Sequence, residues 1–338
     1  MQEKEKLYEL SMEPKWREDA KRAYSLGKKF SGFAIRADLP DLIILEEEVN
    51  EIMDGAIDMH IHFWPYPHIK SAGWDQIEIG KRACEAGMKA IVFKPHTIPT
   101  SATTFFVQRI INKYAQDIEK KPTQIFGGIT LNYTVGGLNP DAVQICAKSS
   151  GKVVWLPTHD SAHHRRVIGE TGGIELLTEN GEVVPQLKEI FKIIAENNMI
   201  LDPCHASTKE RFKIIKEAKE AGVKRIIITH PNWNVTKATI KQQLEMAKMG
   251  AYIGLFVYTS VPNFNNPNCD PLEMIEIIKQ VGPENIVVAT DLGGGIINVP
   301  PVEGMKLLIR ILLTCEIKKK DIEIMIKKNS SYLLGLES

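Results

Sequence analysis

From residue 56 onward, short β-branched runs alternate with amphipathic stretches of helical length, and that rhythm predicts βαβ units and a parallel sheet. The strand runs are AIDMHIH (56–62), KAIVFKPH (89–96), QIFGGITLN (124–132), KVVWLPTH (152–159), MILDPCH (199–205), RIIITH (225–230), AYIGLFVY (251–258) and NIVVATD (285–291). The stretches between them have legible ends. Ser207 and Glu210 form a Ser-x-x-Glu capping box opening STKERFKIIKEAKEAG, which Gly222 closes. Similar helical stretches cover 185–197, 236–249 and 271–281. Eight strands, each followed by a helix, over roughly 280 residues predict an α/β fold, a (β/α)8 TIM barrel spanning 56–338. A doubly wound open sheet is the second reading, but no Gly-x-Gly-x-x-Gly follows the first strand. Residues 1–55 predict an N-terminal helical extension, with a helix in EPKWREDAKRAYSLGKKF, packed on the barrel or on a partner subunit of a homo-oligomer. The long polar stretch 160–184 after the fourth strand reads as a lid or as an inert surface insertion.

The polar positions are as ordered as the apolar ones. A barrel of this kind holds its active site at the C-terminal ends of the strands. Six of the eight strands end in such residues: His60 and His62, Lys94 and His96, His159, His205, His230, and Asp291. The remaining histidines, His68, His163 and His164, fall in loops just beyond strand ends, so all nine map to one face. Strand alternation places Asp58, His60 and His62 on one side, and it groups His230 with Ile226 and Ile228, Asp291 with Val287 and Ala289, and His96 with Val92 and Lys94. Two histidines two residues apart can bring both rings to one ion. Asp58, a step deeper, is expected to orient an imidazole. Mixed imidazole and carboxylate ligands suit Zn, the expected metal, and also Mn, Fe, Co or Ni. Cys204, beside His205, alternates toward the helices and reads as core.

Composition narrows the partner. Lysine plus arginine equals aspartate plus glutamate at 42 each, which leaves no basic footprint for nucleic acid and favours a small-molecule substrate. Five scattered cysteines with no C-x-x-C spacing point to reduced thiols in a cytoplasm. The N-terminus is charged from its third residue, and no apolar run reaches membrane-spanning length.

These residues carry a resemblance. DMHIH on the first strand, PCH and ITHP ending the fifth and sixth, ATDLG ending the eighth, and the tail NSSYLLGL (329–336) together resemble the amidohydrolase superfamily. The segments KPH (94–96), GGLNP (136–140) and WLPT (155–158) make the chain most similar to a prokaryotic branch of unknown substrate. The resemblance implies a metal-dependent hydrolase with His60, His62, His205, His230 and Asp291 at one or two divalent ions. It also implies that Asp291 is the proton carrier. Binuclear members supply a bridging glutamate or carbamylated lysine from the fourth strand, where this chain has Thr158, His159 and Asp160. Lys94 could supply that bridge as a carbamate, or hold a carboxylate or phosphate unmodified; His159 is a further candidate ligand. In a mononuclear site, His230 would activate water or substrate. His96, Asn132, Trp155 and His159 are candidate substrate residues, with Phe63, Trp64 and Tyr66 near them. The three glycines of DLGGGIIN (291–298) could cradle phosphate. The expected reaction is hydrolysis of an amide, cyclic amide, lactone or related ester. A phosphoesterase, a decarboxylase or isomerase, and a non-catalytic metal-binding barrel remain as alternatives.

Overall fold

The apolar runs become eight parallel strands: β1 (Ile57–Ile61), β2 (Ala90–Phe93), β3 (Gln124–Thr130), β4 (Val153–Trp155), β5 (Ile200–Asp202), β6 (Arg225–Thr229), β7 (Tyr252–Phe256) and β8 (Ile286–Ala289). A computed structural model describes residues 46–65, 73–263, 266, 269–294 and 299–336. The helix expected near residues 13–30, together with Tyr66 and His68, lies outside the described residues. Strands pair in chain order from β1 to β8. The barrel closes where His62 N–H donates to the Leu292 carbonyl at 2.8 Å and Asp291 N–H to the His60 carbonyl at 2.9 Å.

Alternation along these strands builds two apolar layers. Ile57, Met59, Val92, Val153, Trp155 and Val287 fill the barrel interior. Ile91, Phe93, Leu201, Ile226, Ile228 and Val288 face the helices instead. The interior is filled from below by the C-terminal tail: Leu333 and Leu334 join the inner layer, and Asn329 Nδ2 donates to the carbonyls of Pro283 and Ile286 at 2.8 and 2.6 Å. Gly128 is where the wall admits Trp155, since a Cβ there would meet the Val153 carbonyl oxygen at 1.9 Å and the indole at 2.9 Å.

Helix ends follow the capping signals. Ser207 and Glu210 make the reciprocal box of the helix Thr208–Glu220, and Thr239 and Gln242 make a second for Ile240–Lys248. The helix Pro271–Val281 spans the residues expected of it. The stretch 160–184 is ordered: it holds the short helix Ala162–Val167 and is pinned by bridges between Ser161 and Ile174 and between Leu177 and Val183. Glu46–Met53 forms a helix against Pro301–Thr314. No helix among the described residues is long and apolar enough to cross a membrane.

One buried cation locks the rim. Arg211, fully buried, donates from Nη1 to the Thr236 carbonyl at 2.8 Å and from Nη2 to those of Cys204 and Thr229 at 2.7 and 3.1 Å. It thus ties the ends of β5 and β6 together, while burial pulls its pKa down to about 10. Arg211→Leu removes three charge-assisted bonds and is expected to cost about 3 kcal/mol or more, read as a lower urea midpoint at unchanged slope.

Candidate active site

The strand ends depart from simple alternation where the site begins. In β1, Asp58 pairs with Ile91 but Ile61 pairs with Phe93, so the strand carries an extra residue between them. Ile57 and Met59 point inward and Asp58 does not, yet His60 and His62 still line the cavity. This corrects the expected grouping of Asp58 with the two histidines. Its carboxylate serves the β1–β8 seam: it accepts from His60 N–H at 3.1 Å, Thr290 N–H at 3.2 Å and Thr290 Oγ1–H at 2.5 Å. Burial nonetheless pushes Asp58 up to about 7.

The same rule fails at β5 and β6. Ile227, not Ile226 or Ile228, faces the interior, so alternation alone would turn His230 outward. A left-handed backbone at His230 (φ 37°) brings its ring back over the cavity. Cys204 (φ 49°) and Asp291 (φ 56°) share this uncommon conformation. Counted from Ile200, which faces the interior while Leu201 faces the helices, alternation places Cys204 in the inner layer rather than toward the helices, and its left-handed backbone lets His205 line the cavity as well. Burial raises the Cys204 thiol well above the usual range. Such backbones cost about 1–3 kcal/mol each and cluster at functional sites.

These turns assemble a cavity of about 100 Å³. Six imidazoles ring it in the order His60, His62, His96, His159, His205, His230 and back to His60, with neighbouring centroids 4.6 to 6.2 Å apart. Lys94, Asp291, Tyr258 and Thr259 add further polar groups to the lining. His62 Nε2 donates to Asp291 Oδ1 at 2.9 Å, and His60 Nε2 lies 3.5 Å from the same oxygen. The ligand atoms of this trio all lie within 4.8 Å of one another, and those of His159, His164 and His205 form a second such group. His164 Nδ1 faces His205 Nδ1 at 2.9 Å.

Burial sets the charge state. It pushes His60, His96, His205 and His230 well below the usual imidazole range, lowers His62, and takes His164 down to about 4. The rings are therefore neutral at pH 7, the form that binds a cation. Lys94, 2% exposed, is also lowered by burial; its Nζ lies 3.1 Å from the His96 ring and has no carboxylate at ion-pair distance among the described residues. The hydroxyl of Thr236 donates to the His230 carbonyl at 2.7 Å, so its oxygen can only accept from His230 Nδ1–H at 3.4 Å. The network thereby assigns the His230 lone pair to Nε2.

Two expected substrate residues stand elsewhere. Asn132 braces the rim, donating to the His96 carbonyl at 3.0 Å and Thr158 Oγ1 at 2.8 Å. Trp155 lies in the inner layer, edge-on to His60 at 6.2 Å. Phe63 packs on Phe93, and Trp64 is exposed. Of the glycine run, Gly293 answers to the seam, because a Cβ there would meet the His62 carbonyl oxygen at 2.0 Å; residues 295–298 lie outside the described residues. His164, Trp233 and Tyr258 had no expected role. Trp233 packs 5.1 Å from His205 and 5.4 Å from His230; its signal was an aromatic three residues after the histidine of ITHP.

The fold is shared with known barrels. An amidohydrolase from Pseudomonas aeruginosa is 13% identical with a TM-score of 0.56, over 85% of this chain and 98% of that one. The probable dipeptidase PvdM from the same organism is 11% identical at 0.57, over 86% and 97%. An assigned 2-pyrone-4,6-dicarboxylic acid hydrolase from Pseudomonas putida is 13% identical at 0.53, over 84% and 98%. The (β/α)8 barrel expected from the sequence is thus the fold observed, and these enzymes share it. No curated protein matches the sequence. A family model described as a family of unknown function (DUF6282) matches residues 55–254, which include every lining histidine but not Asp291.

Proposed function

The chain belongs to the family of unknown function DUF6282, and from the site that its strands assemble we propose a metal-dependent hydrolase acting on an amide, cyclic amide, lactone or related ester of a small molecule. One observation carries this reading: His60, His62 and Asp291 place their ligand atoms within 4.8 Å of one another on the C-terminal rim of the barrel. The donor set fits a divalent cation such as Zn. His60 Nε2 and His62 Nε2 converge on one carboxylate oxygen, and His60 Nδ1 is buried without a hydrogen-bond partner among the described residues. A cation held there would lower the pKa of water toward 7 and polarise the scissile carbonyl.

The protein groups supply the rest. Asp291 accepts the proton of the attacking water as the new carbon–oxygen bond forms, then returns it to the departing nitrogen or oxygen. His230, with its Nε2 lone pair available, holds the water or substrate in place. Lys94, with no carboxylate at ion-pair distance among the described residues, takes an anionic group of the substrate. Trp233 closes the wall beside His205 and His230.

The experiment compares chelator-treated and Zn-reloaded protein on a panel of carboxylate-bearing lactones, cyclic amides and N-acyl compounds. Turnover that requires reloading, and that His62→Ala lowers by about 10²-fold or more, is expected. Metal-bound protein that hydrolyses nothing on the panel would favour the phosphoesterase, decarboxylase or non-catalytic readings.

A further inference from the structure

The insertion 160–184 packs a histidine against the wall of the site, and nothing in the proposed reaction uses it. His164 sits on the short helix Ala162–Val167, yet its ring stacks on that of His205 at 4.8 Å and 16°, and it is 5% exposed. The facing pair of Nδ1 atoms at 2.9 Å can hold one proton between two lone pairs. His159, at the end of β4, brings a third ring 5.1 Å from His164 and 5.5 Å from His205. All three offer ligand atoms within 4.8 Å of one another.

We propose that His159, His164 and His205 form a second cation site, distinct from that of His60, His62 and Asp291, and that its cation fixes the insertion 160–184 to the barrel. Three elements meet there: the end of β4, the end of β5 and the insertion. A cation replaces the single shared proton and joins all three. The backbone is already placed for this. Ser161 N–H donates to the Thr158 carbonyl at 3.0 Å, and Ser161 Oγ donates to the His205 carbonyl at 3.1 Å. Arg165 pairs with Asp160 at 2.8 Å, which orients the helix that carries His164. The adjacent His163 points the other way, its Nε2 against the Val235 carbonyl at 2.8 Å. The two neighbouring histidines thus strap the insertion at two points, and only His164 reaches the cavity wall. Imidazole ligands favour zinc over the harder cations.

The proposal is independent of the reaction catalysed, and its test reads metal rather than turnover. Wild type, His62→Ala, His164→Ala and His159→Ala are loaded with zinc, desalted and assayed by plasma emission. About two equivalents are expected in wild type and about one in each variant. Zinc is expected to slow amide hydrogen exchange across 160–184 in wild type and His62→Ala, but not in His164→Ala. His159→Ala leaves the His164–His205 pair intact, and it decides the matter if His164→Ala fails to fold by circular dichroism. A single equivalent in wild type, lost in His62→Ala and kept in the other variants, overturns the second site and leaves the proposed hydrolase standing. No bound zinc in wild type overturns both.

Discussion

Asp291→Asn is expected to fold as the wild type does and to lose about 10²–10⁴-fold in turnover, the share that a well-placed proton carrier supplies. The amide is the same size and keeps an oxygen that can accept from His62 Nε2–H, the 2.9 Å contact of the native carboxylate. The seam survives as well, because Asp291 meets the His60 carbonyl through its backbone N–H. What disappears is the capacity to take a proton and give it back. The loss should therefore fall on kcat with KM little changed. The thermal midpoint of the chelator-treated variant serves as the control for folding. Turnover like that of wild type would remove Asp291 from the proton path.

Acid should unfold the metal-free protein steeply. Five histidines of the cavity wall, His60, His62, His96, His205 and His230, and His164 packed behind it are lowered from 6.5 by burial. Once unfolded, each binds a proton near its ordinary value. Below about pH 6.5 the unfolded chain therefore holds more protons than the folded one, and stability falls as pH falls. The stabilisation is present above 6.5 and drains away toward the lowered folded values. Two such rings alone would remove about 3 kcal/mol per pH unit. A chelator-treated sample followed by tryptophan fluorescence from pH 8 to 4 should lose structure cooperatively, and zinc should move the midpoint to lower pH. A flat profile down to pH 4 would mean that the rings are protonated in the folded state.

The two parts of the molecule were unequally legible in the sequence. Apolar runs marked all eight strands in order, because a parallel barrel buries both faces of each strand and the runs are nearly continuous. Several structural strands stop short of their polar ends, as β4 does at Trp155, since those ends leave the ladder to reach the cavity. Histidine positions located the rim, but their facing was misread for Asp58, Cys204 and the β6 isoleucines. Alternation assumes an extended backbone, and the bulge in β1 and the left-handed residues Cys204 and His230 each break it. His164 was hidden for another reason. A helix of six residues is below the length that its own propensity sustains, and it forms only because Ser161 and Asp160 dock it.

The seam between β1 and β8 has a consequence for how the protein is made. Asp58 and Thr290, which close it, are 232 residues apart in the chain. Pairing across so wide a loop comes late, after local units have formed. A ribosome-bound chain that has exposed His60 and His62 still lacks Asp291, along with the Leu333 and Leu334 side chains that fill the barrel from below. The first histidines to emerge thus wait for the last strand, and the grouping of His60 and His62 with Asp291 becomes a property of the folded barrel. Nascent intermediates would pass through synthesis with two loosely held imidazoles rather than a closed cage.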